Sequence, residues 1–473
     1  MHILKNIHYF ILCFALLIIA ILLQFKFEVY TQPYFWDELG VYAPASIHLY
    51  EHGIGILPAH LPDVLSRGHP TLFVFIIAIA FKIFGCTPLV AHITCYFIYA
   101  VGMVFLFKIL KEYLKPNLAL LSALAIGIQP CFLSQSIIVL PEICLMTLAL
   151  ASYYYFIKNK LIACSLFLCL SVLVKESALI LPLAFFLSSI IMNKKITLKL
   201  LLSLFIIPYV LFGLFLCIQK VQNGYFLYPL HTGLIKFELY YIMERWHFLK
   251  SFLFVEQGRI CVSLAFLAMI LFYCIKYNKS LFTLLKANKR VFISLLILII
   301  GGILFSIINY FLERYTIYYL VFIFILVFVL LNFFEKERSY YLNYFFSVGL
   351  IIYSFINVLS QYSKYTDIDF SYVSFVKNSS KTYAYLALSK FDTIQVAMDF
   401  PLLPCSFHHQ LGYPKIKNYP LQIKDKINPS ASYYIFSEPG NYLKFNTYDT
   451  SKLELDTMFK NSYSFVKIYK VLK

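Results

Sequence analysis

The chain has 473 residues, of which 61% are hydrophobic, 19% aromatic and only 13% charged. These proportions lie far outside the range of soluble globular domains, so the sequence predicts a membrane protein. The formal charge of +17 does not indicate a nucleic-acid partner, because the basic residues are grouped in short connections between apolar segments.

Eleven segments are apolar enough to cross a bilayer, which takes roughly 20 residues. No small-residue cleavage site follows the first of them, so we interpret it as a retained span and not as a signal peptide. The predicted spans cover approximately residues 9–26, 88–110, 117–135, 138–157, 160–174, 176–192, 198–218, 259–275, 291–310, 315–334 and 341–359.

Basic residues concentrate in alternate connections between these spans. They are Lys5, Lys108, Lys111, Lys115, Lys158, Lys160, Lys194, Lys195, Lys199, the stretch from Lys276 to Arg290, Lys336 and Arg338. Because cytoplasmic loops carry an excess of Lys and Arg, the N-terminus and these connections are predicted to be cytoplasmic. The opposite face then receives residues 27–87, the turn at Glu142, residues 219–258, Arg314 and everything after residue 360.

The apolar stretch 70–85 is treated separately. As a further span it would invert every later connection and place the lysine clusters outside. It has about 16 residues and contains Lys82, so we expect a helix that lies in the interface or dips into it. A twelve-span arrangement is the alternative.

The fold class predicted is an all-α polytopic membrane protein with a small extracytoplasmic α/β domain at its C-terminus. Residues 1–359 form the membrane body, with outer loops at 27–87 and 219–258, and residues 360–473 form the domain. Three alternating runs in the latter, "DTIQVAMDF", "SYYIFSE" and "SFVKIYKVL", are typical of strands.

The first acidic pair, Asp37 and Glu38, opens the segment "WDELGVYAPASIHLY". Apolar residues recur in it at helical spacing, which predicts an amphipathic helix along the membrane surface. Acidic residues favour a helix N-terminus, so the pair could be structural. The functional interpretation is a catalytic carboxylate at the level of the lipid headgroups.

Further candidates lie before predicted spans on the same face. Arg67 and His69 precede Pro70, which alone could be ordinary helix punctuation. Glu142 occupies a short outer turn, where an ionisable group next to hydrocarbon is a functional candidate by default. A carboxylate at the membrane surface is the alternative for Glu142.

Two cations complete the set. Lys175 precedes Glu176, with which it could form a simple ion pair, or it could contact a phosphate. Arg314 follows Glu313 near the outer end of a span, where a guanidinium suits either phosphate recognition or headgroup anchoring. Carboxylates and cations at one face fit a reaction on a lipid-linked phosphate ester, with a base to deprotonate the acceptor and a cation or divalent metal ion to stabilise the departing phosphate.

The order of the motifs "DE", "GHPTLFVFIIAIAFKIFG", "LPEICLMTLALASYYYF", "LVKESALILP" and "ERYTIYYLVF" resembles the GT-C membrane glycosyltransferases of the protein O-mannosyltransferase and undecaprenyl-phosphate aminoarabinose transferase superfamily. The resemblance covers roughly residues 30–335. It implies a polyprenyl-phosphate-linked sugar as donor and an acceptor lipid, glycan or protein met outside the cytoplasm.

The resemblance also implies residue roles. Asp37 matches the loop aspartate proposed as catalytic base or metal neighbour, and Glu38 the acid that often follows it. His69 begins an "HPP" element whose second proline is Thr71 here. Glu142 stands where the family usually has Asp, so Asp37 and Glu142 are the candidate ligands if a metal is bound.

Two matches concern the donor phosphate. Lys175 matches the lysine of a "TKG" element, here "VKE", and Arg314 matches the arginine of an "RY" element. With Arg67 and His69 near the acceptor, these residues predict a polyprenyl-phosphate-dependent glycosyltransferase of the bacterial inner membrane. A transporter or flippase of lipid-linked saccharides and a non-catalytic envelope assembly protein are the alternatives.

Overall fold

The computed structural model describes residues 2–193, 196–277, 289–335, 340–360, 366–388, 394–416, 420–423, 430–440, 450–461 and 463–472. The predicted basic residues Lys194, Lys195, Lys336 and Arg338, and positions 278–288, lie outside the described residues.

Helices account for most of the chain up to residue 360. Their bounds are α1 His2–Phe27, α2 Ala43–His52, α3 Asp63–Ser66, α4 Leu72–Phe84, α5 Pro88–Lys111, α6 Pro116–Gly127, α7 Pro130–Gln135, α8 Pro141–Ile157, α9 Leu161–Val174, α10 Ile180–Asn193, α11 Leu198–Leu201, α12 Ile207–Asn223, α13 Pro229–Thr232, α14 Leu239–Phe254, α15 Arg259–Tyr277, α16 Lys289–Ile308, α17 Ile317–Glu335 and α18 Tyr340–Ser360. Short helical turns at Glu38–Tyr42, Glu176–Leu179 and Glu313–Thr316 lead into α2, α10 and α17.

The multi-pass membrane character predicted from the sequence is confirmed. Among the described residues, five helices are long and apolar enough to cross a membrane: Ile7–Phe27, Pro88–Lys111, Leu198–Asn223, Val291–Ile308 and Glu313–Asn332. The pair Leu239–Phe254 and Glu256–Ala268, bent by 44°, is a sixth if it forms one span. The other apolar helices have 10–17 residues, so the number of eleven spans stays a prediction.

The helix bounds differ from the sequence prediction at two places. The predicted span 117–135 is broken, because α6 ends at Gly127 and Pro130, which cannot continue a helix, begins α7. The stretch 219–258, for which no helix was predicted, contains the 16-residue helix α14. The stretch 70–85 forms α4, whose 13 residues are too few to cross a bilayer alone.

Helix α8 lies at the centre of the membrane body, packed against α5, α9 and α17. Its Tyr153 is fully buried, with its ring 5.2 Å from that of Phe322 and its hydroxyl 3.1 Å from Ser294 Oγ. Because α9 runs antiparallel to α8, the beginning of α8 and the end of α9 meet at one end of the bundle. That end carries the candidate site.

The C-terminal region forms a mixed sheet, which confirms the predicted small α/β unit. Its strands are β1 Val396–Met398, β2 Leu421–Gln422, β3 Tyr433–Glu438, β4 Leu453–Lys460 and β5 Phe465–Val471, in the order β2-β1-β3-β5-β4. β1 is parallel to β2 and β3, whereas β5 is antiparallel to β3 and β4. Helix α19, Tyr372–Leu386, packs on β4 and β5 and was not predicted.

A buried carboxylate fixes the loop of residues 27–87 to the helix bundle. Both oxygens of Glu38 accept backbone hydrogen bonds, from Phe35 N–H at 2.8 Å and from Val139 N–H at 2.6 Å. His92 Nε2 lies 3.4 Å from the same carboxylate. Since Val139 lies two residues before the start of α8 at Pro141, Glu38 holds the loop against the beginning of that helix.

We predict that Glu38→Ala destabilises the protein by about 3 kcal/mol, because two buried N–H groups lose their acceptor. Glu38→Gln keeps one acceptor oxygen and should show a smaller loss. Thermal unfolding in detergent measures both effects. Glu51→Ala is the matched control, because the exposed pair of Glu51 with His408 should contribute less than about 1 kcal/mol. Equal shifts for the two alanine variants would contradict this role of Glu38.

Candidate active site

Arg314 is the centre of an ion-pair cluster at this end of the bundle. It lies in the turn that leads into α17, and its guanidinium contacts Asp37 through Nη2 and Asp367 through Nη1. Its Nε lies 3.5 Å from Glu142 Oε1. The Arg314 side chain is only 6% exposed. A charge this deeply buried requires partners, and three carboxylates from separate segments provide them.

Lys175 completes the group, which we call the Arg314 cluster: Asp37, Glu142, Lys175, Arg314 and Asp367. The Lys175 ammonium donates a hydrogen bond to Glu142 Oε1 at 2.6 Å and lies 3.9 Å from the centre of the Tyr315 ring. In the described structure the other oxygen of Glu142, Oε2, is buried without a hydrogen-bond partner. Two cations and three carboxylates give the cluster a formal charge of −1.

Asp37 is the member of the cluster that solvent reaches most easily. Its side chain is 31% exposed, against 4% for Glu142, 8% for Lys175 and 13% for Asp367. The residue stands at the start of the helical turn before α2, directly after Trp36. A substrate that approaches this end of the bundle therefore meets the Asp37 carboxylate first, with the two cations behind it.

Asp367 was not predicted. It follows α18 in the C-terminal region, and its backbone carbonyl accepts hydrogen bonds from Ser134 Oγ at 2.9 Å and Gln135 Nε2 at 2.8 Å. Burial raises the pKa of its carboxyl above the ordinary value, against the lowering effect of Arg314. The only sequence signal was an acidic "DID" motif next to the last span.

The remaining residues predicted for the site, Glu38, Arg67 and His69, lie in two places. Glu38 is adjacent to Asp37 in sequence but has both oxygens on backbone N–H groups, so its geometry is that of a positioning residue. Arg67 donates a hydrogen bond to the Gly40 carbonyl at 3.3 Å, in the same loop. His69 lies 3.3 Å from Glu176, the neighbour of Lys175.

His69 belongs to a second group, the His69 cluster, formed with Glu176 and His231. Each residue offers one atom that could bind a metal ion, and these three atoms all lie within 4.8 Å of one another. Burial and the adjacent His69 lower the pKa of His231 to about 4, so this imidazole is neutral at pH 7. Two imidazoles and one carboxylate are a donor set that zinc accepts. His231, in the second outer loop, was not predicted as a site residue.

The Arg314 and His69 clusters bear differently on the predicted metal site. Arg314 lies between Asp37 and Glu142. Its guanidinium therefore occupies the place where a metal ion would bridge the two carboxylates. In the part of the chain that the structure describes, the three-residue group suited to a metal ion is the His69 cluster. The Arg314 cluster instead places an accessible carboxylate next to two buried cations that are already paired.

Residues 68–220 match the model of the family described as dolichyl-phosphate-mannose-protein mannosyltransferase. This region includes His69, Glu142 and Lys175, whereas Asp37 and Arg314 lie outside it. No curated protein matches the sequence.

Solved structures similar to the whole chain include ArnT from Cupriavidus metallidurans in two states. The form bound to undecaprenyl phosphate has a TM-score of 0.55 and the apo form 0.58, both at 11% identity over 96% of this chain and 98% of ArnT. The Archaeoglobus fulgidus oligosaccharyltransferase, tethered to an acceptor peptide that contains the NVT sequon, has a TM-score of 0.51 at 12% identity, over 94% of this chain and 70% of its own.

The resemblance predicted from the sequence motifs is thereby confirmed. Residues 68–220 carry the sequence pattern of the mannosyltransferase family model, and the chain as a whole has the fold of the GT-C membrane glycosyltransferases.

Proposed function

We propose that this protein is an integral-membrane glycosyltransferase that moves a sugar from a polyprenyl-phosphate-linked donor to an acceptor lipid, glycan or protein on the extracytoplasmic face. The observation that carries the proposal is the Arg314 cluster, in which an accessible carboxylate lies against buried cations at one end of a bundle of apolar helices. A donor anchored in the bilayer by its lipid would present its sugar phosphate at that depth.

The proposed reaction is a single displacement at the anomeric carbon. An acceptor hydroxyl or amine attacks that carbon and gives its proton to Asp37, which acts as general base. The bond between the anomeric carbon and the phosphate oxygen breaks, and its electron pair leaves with the lipid phosphate. Lys175 and Arg314 stabilise the charge on that phosphate. Because the proposed reaction has one base and forms no covalent intermediate with the protein, we expect inversion of configuration at the anomeric carbon.

Donor binding and base activation are coupled in this scheme. The phosphate must compete with carboxylates for Lys175 and Arg314, because both cations are already paired. Of the Arg314 contacts, the one with Asp37 is the most exposed and the easiest to replace. A phosphate that takes the place of Asp37 on the guanidinium leaves the carboxylate available to the acceptor, while Glu142 and Asp367 hold Arg314 in position.

The chemical classes of donor and acceptor are proposed by analogy with ligands bound to the structural relatives. Undecaprenyl phosphate bound to ArnT supports a polyprenyl phosphate as the leaving group, and the acceptor peptide of the oligosaccharyltransferase supports a peptide among the possible acceptors. The distribution of basic residues supports a cytoplasmic N-terminus and an extracytoplasmic position for residues 360–473. The bacterial inner membrane is the location that we propose.

The first test is Asp37→Asn, which preserves shape and removes the base. We expect transfer from the active donor to fall by about a hundredfold or more, the usual contribution of general-base catalysis. The measurement follows labelled sugar from a panel of polyprenyl-phosphate sugars into lipid or glycan products in reconstituted membranes. Glu28→Gln is the control, since Glu28 is an exposed carboxylate of the same outer loop that pairs with Lys377.

The outcomes separate the alternatives. Transfer that survives Asp37→Asn would place the base elsewhere in the protein. If the unsubstituted protein transfers no sugar from any donor in the panel, the glycosyltransferase proposal fails, and a flippase or an assembly protein would then fit better.

The second test concerns the donor phosphate. We predict that Lys175→Ala weakens binding of undecaprenyl phosphate by about tenfold, because a charge-assisted hydrogen bond is lost. Titration of the purified protein with this lipid measures the effect, and Lys377→Ala, which removes an exposed lysine, is the control. Unchanged affinity in a folded Lys175→Ala/Arg314→Ala double variant would refute both phosphate assignments.

A divalent metal ion has two candidate places in this proposal. The His69 cluster has the donor chemistry for zinc, and an ion held there would fix the second outer loop beside Lys175. We expect the purified protein to bind one zinc ion per chain and His231→Ala to lose it, measured by elemental analysis after dialysis. Asp37→Asn should leave the zinc content unchanged. Loss of zinc in Asp37→Asn, with His231→Ala unaffected, would favour the Asp37–Glu142 site instead.

A further inference from the structure

The residue immediately before the candidate base has a strained backbone. Trp36 has a φ of +48°, in the left-handed region that bulky side chains rarely adopt. Such a conformation costs roughly 1–3 kcal/mol and persists only where its surroundings enforce it. It turns the chain so that the Gly40 N–H bonds to the Trp36 carbonyl at 3.0 Å and Asp37 begins the helical turn.

An aromatic residue of the C-terminal region packs on this turn. The ring of Phe400 lies 4.7 Å from that of Trp36, edge to face at 79°. The same ring covers Gly40, where an added Cβ would meet Phe400 Cε2 at 3.8 Å. Trp36 and Gly40 are four residues apart and share one face of the turn, so Phe400 contacts both ends of the segment that carries Asp37.

Phe400 is itself held firmly. Its N–H donates to the Asp399 carboxylate at 2.8 Å, and the Asp399 carbonyl accepts from the N–H groups of Leu402 and Leu403, each at 3.0 Å. The Leu402 carbonyl in turn accepts from the Tyr383 hydroxyl of α19 at 2.8 Å.

A second contact docks the same region on the outer loop. The Tyr413 hydroxyl donates to the Tyr34 carbonyl at 2.8 Å, and the Tyr34 N–H donates to the Leu411 carbonyl at 3.4 Å. Gly412 between them has a φ of +89° and approaches Pro33 so closely that a Cβ would lie 3.0 Å from its Cα. The segment before Asp37 is therefore fixed on two sides by residues 399–413.

We infer that Phe400 is a positioning residue for the Asp37 carboxylate, acting through Trp36. The inference rests on the proposed function, in which Asp37 is the base. Without the Phe400 ring, Trp36 can relax toward an ordinary backbone conformation, and the Asp37 carboxylate shifts relative to Arg314 and Glu142. Displacement of a reacting group by about 1 Å can lower a rate by up to a hundredfold.

The test compares Phe400→Ala with Phe400→Tyr, which keeps the ring, and with Phe407→Ala, which removes a half-exposed ring from the same segment. We expect kcat for sugar transfer to fall about tenfold or more in Phe400→Ala, with KM for donor and acceptor within about twofold. Phe400→Tyr should restore kcat, and Phe407→Ala should leave it unchanged. A higher KM at unchanged kcat would overturn the inference, because Phe400 would then bind substrate directly.

A double variant tests the route through Trp36. If Phe400 acts through that residue, Trp36→Ala and Trp36→Ala/Phe400→Ala should have the same kcat, because the two changes interrupt one interaction. Additive losses would mean that Phe400 affects the rate by another path.

A spectroscopic measurement separates this inference from the proposed function. The chain has two tryptophans, so Trp246→Phe leaves Trp36 as the sole tryptophan, whose emission can be excited apart from that of the tyrosines. In that background Phe400→Ala should shift the Trp36 emission to longer wavelength and increase its quenching by acrylamide, whereas Phe407→Ala should do neither. An unshifted spectrum overturns the inference even if transfer is active. Absence of transfer in the unsubstituted protein defeats the proposed function, and the spectrum still decides whether Phe400 holds Trp36.

Discussion

The burial of one guanidinium constrains the arrangement of this whole molecule. Arg314 is almost completely removed from solvent, and a buried charge is tolerated only with well-placed partners of opposite sign. Its partners come from the first outer loop, from the beginning of α8 and from the region after the last helix of the body. Three parts of the chain that are distant in sequence must therefore meet at one end of the helix bundle.

This arrangement separates structural from reactive carboxylates. Glu38 and Asp37 are adjacent, yet Glu38 is fully buried with both oxygens on backbone N–H groups, whereas Asp37 is partly exposed and contacts a cation that a ligand can also bind. The Glu38 carboxylate fixes the loop, and the Asp37 carboxylate is left accessible. Of this acidic pair, Glu38 thus has the geometry of a structural residue, and Asp37 is the one that the proposed reaction uses as its base.

The sequence was sufficient to predict the members of the site that are local to apolar segments. Glu142, Lys175 and Arg314 are recognisable because a charge at the end of a span is costly and rarely incidental. Asp367 and His231 were missed because their own neighbourhood offers little to mark them, apart from the short acidic motif that contains Asp367. Each gains its role from a contact across the fold, with Arg314 in one case and His69 in the other.

Helix boundaries show the same distinction between local and long-range information. The break between α6 and α7 could have been predicted from Pro130 alone, because a proline cannot continue a preceding helix. Helix α14 was not predicted, although its buried residues Leu249, Phe252 and Leu253 recur at helical spacing, because charged residues interrupt its apolar sequence. The strands of the C-terminal sheet were visible as alternating runs, but their order depends on pairing between distant segments, which local periodicity does not encode.

The segment from Glu28 to Trp36 explains why the C-terminal region matters at the site. These residues form no regular helix or strand, so backbone hydrogen bonding within the segment cannot define the direction in which Asp37 points. Glu38 anchors one side of it to the membrane body, and Tyr413 and Phe400 anchor the other side to the C-terminal region. In the proposed reaction the Asp37 carboxylate releases a cation and receives a proton, which requires a fixed backbone, and contacts on both sides of the chain provide that rigidity.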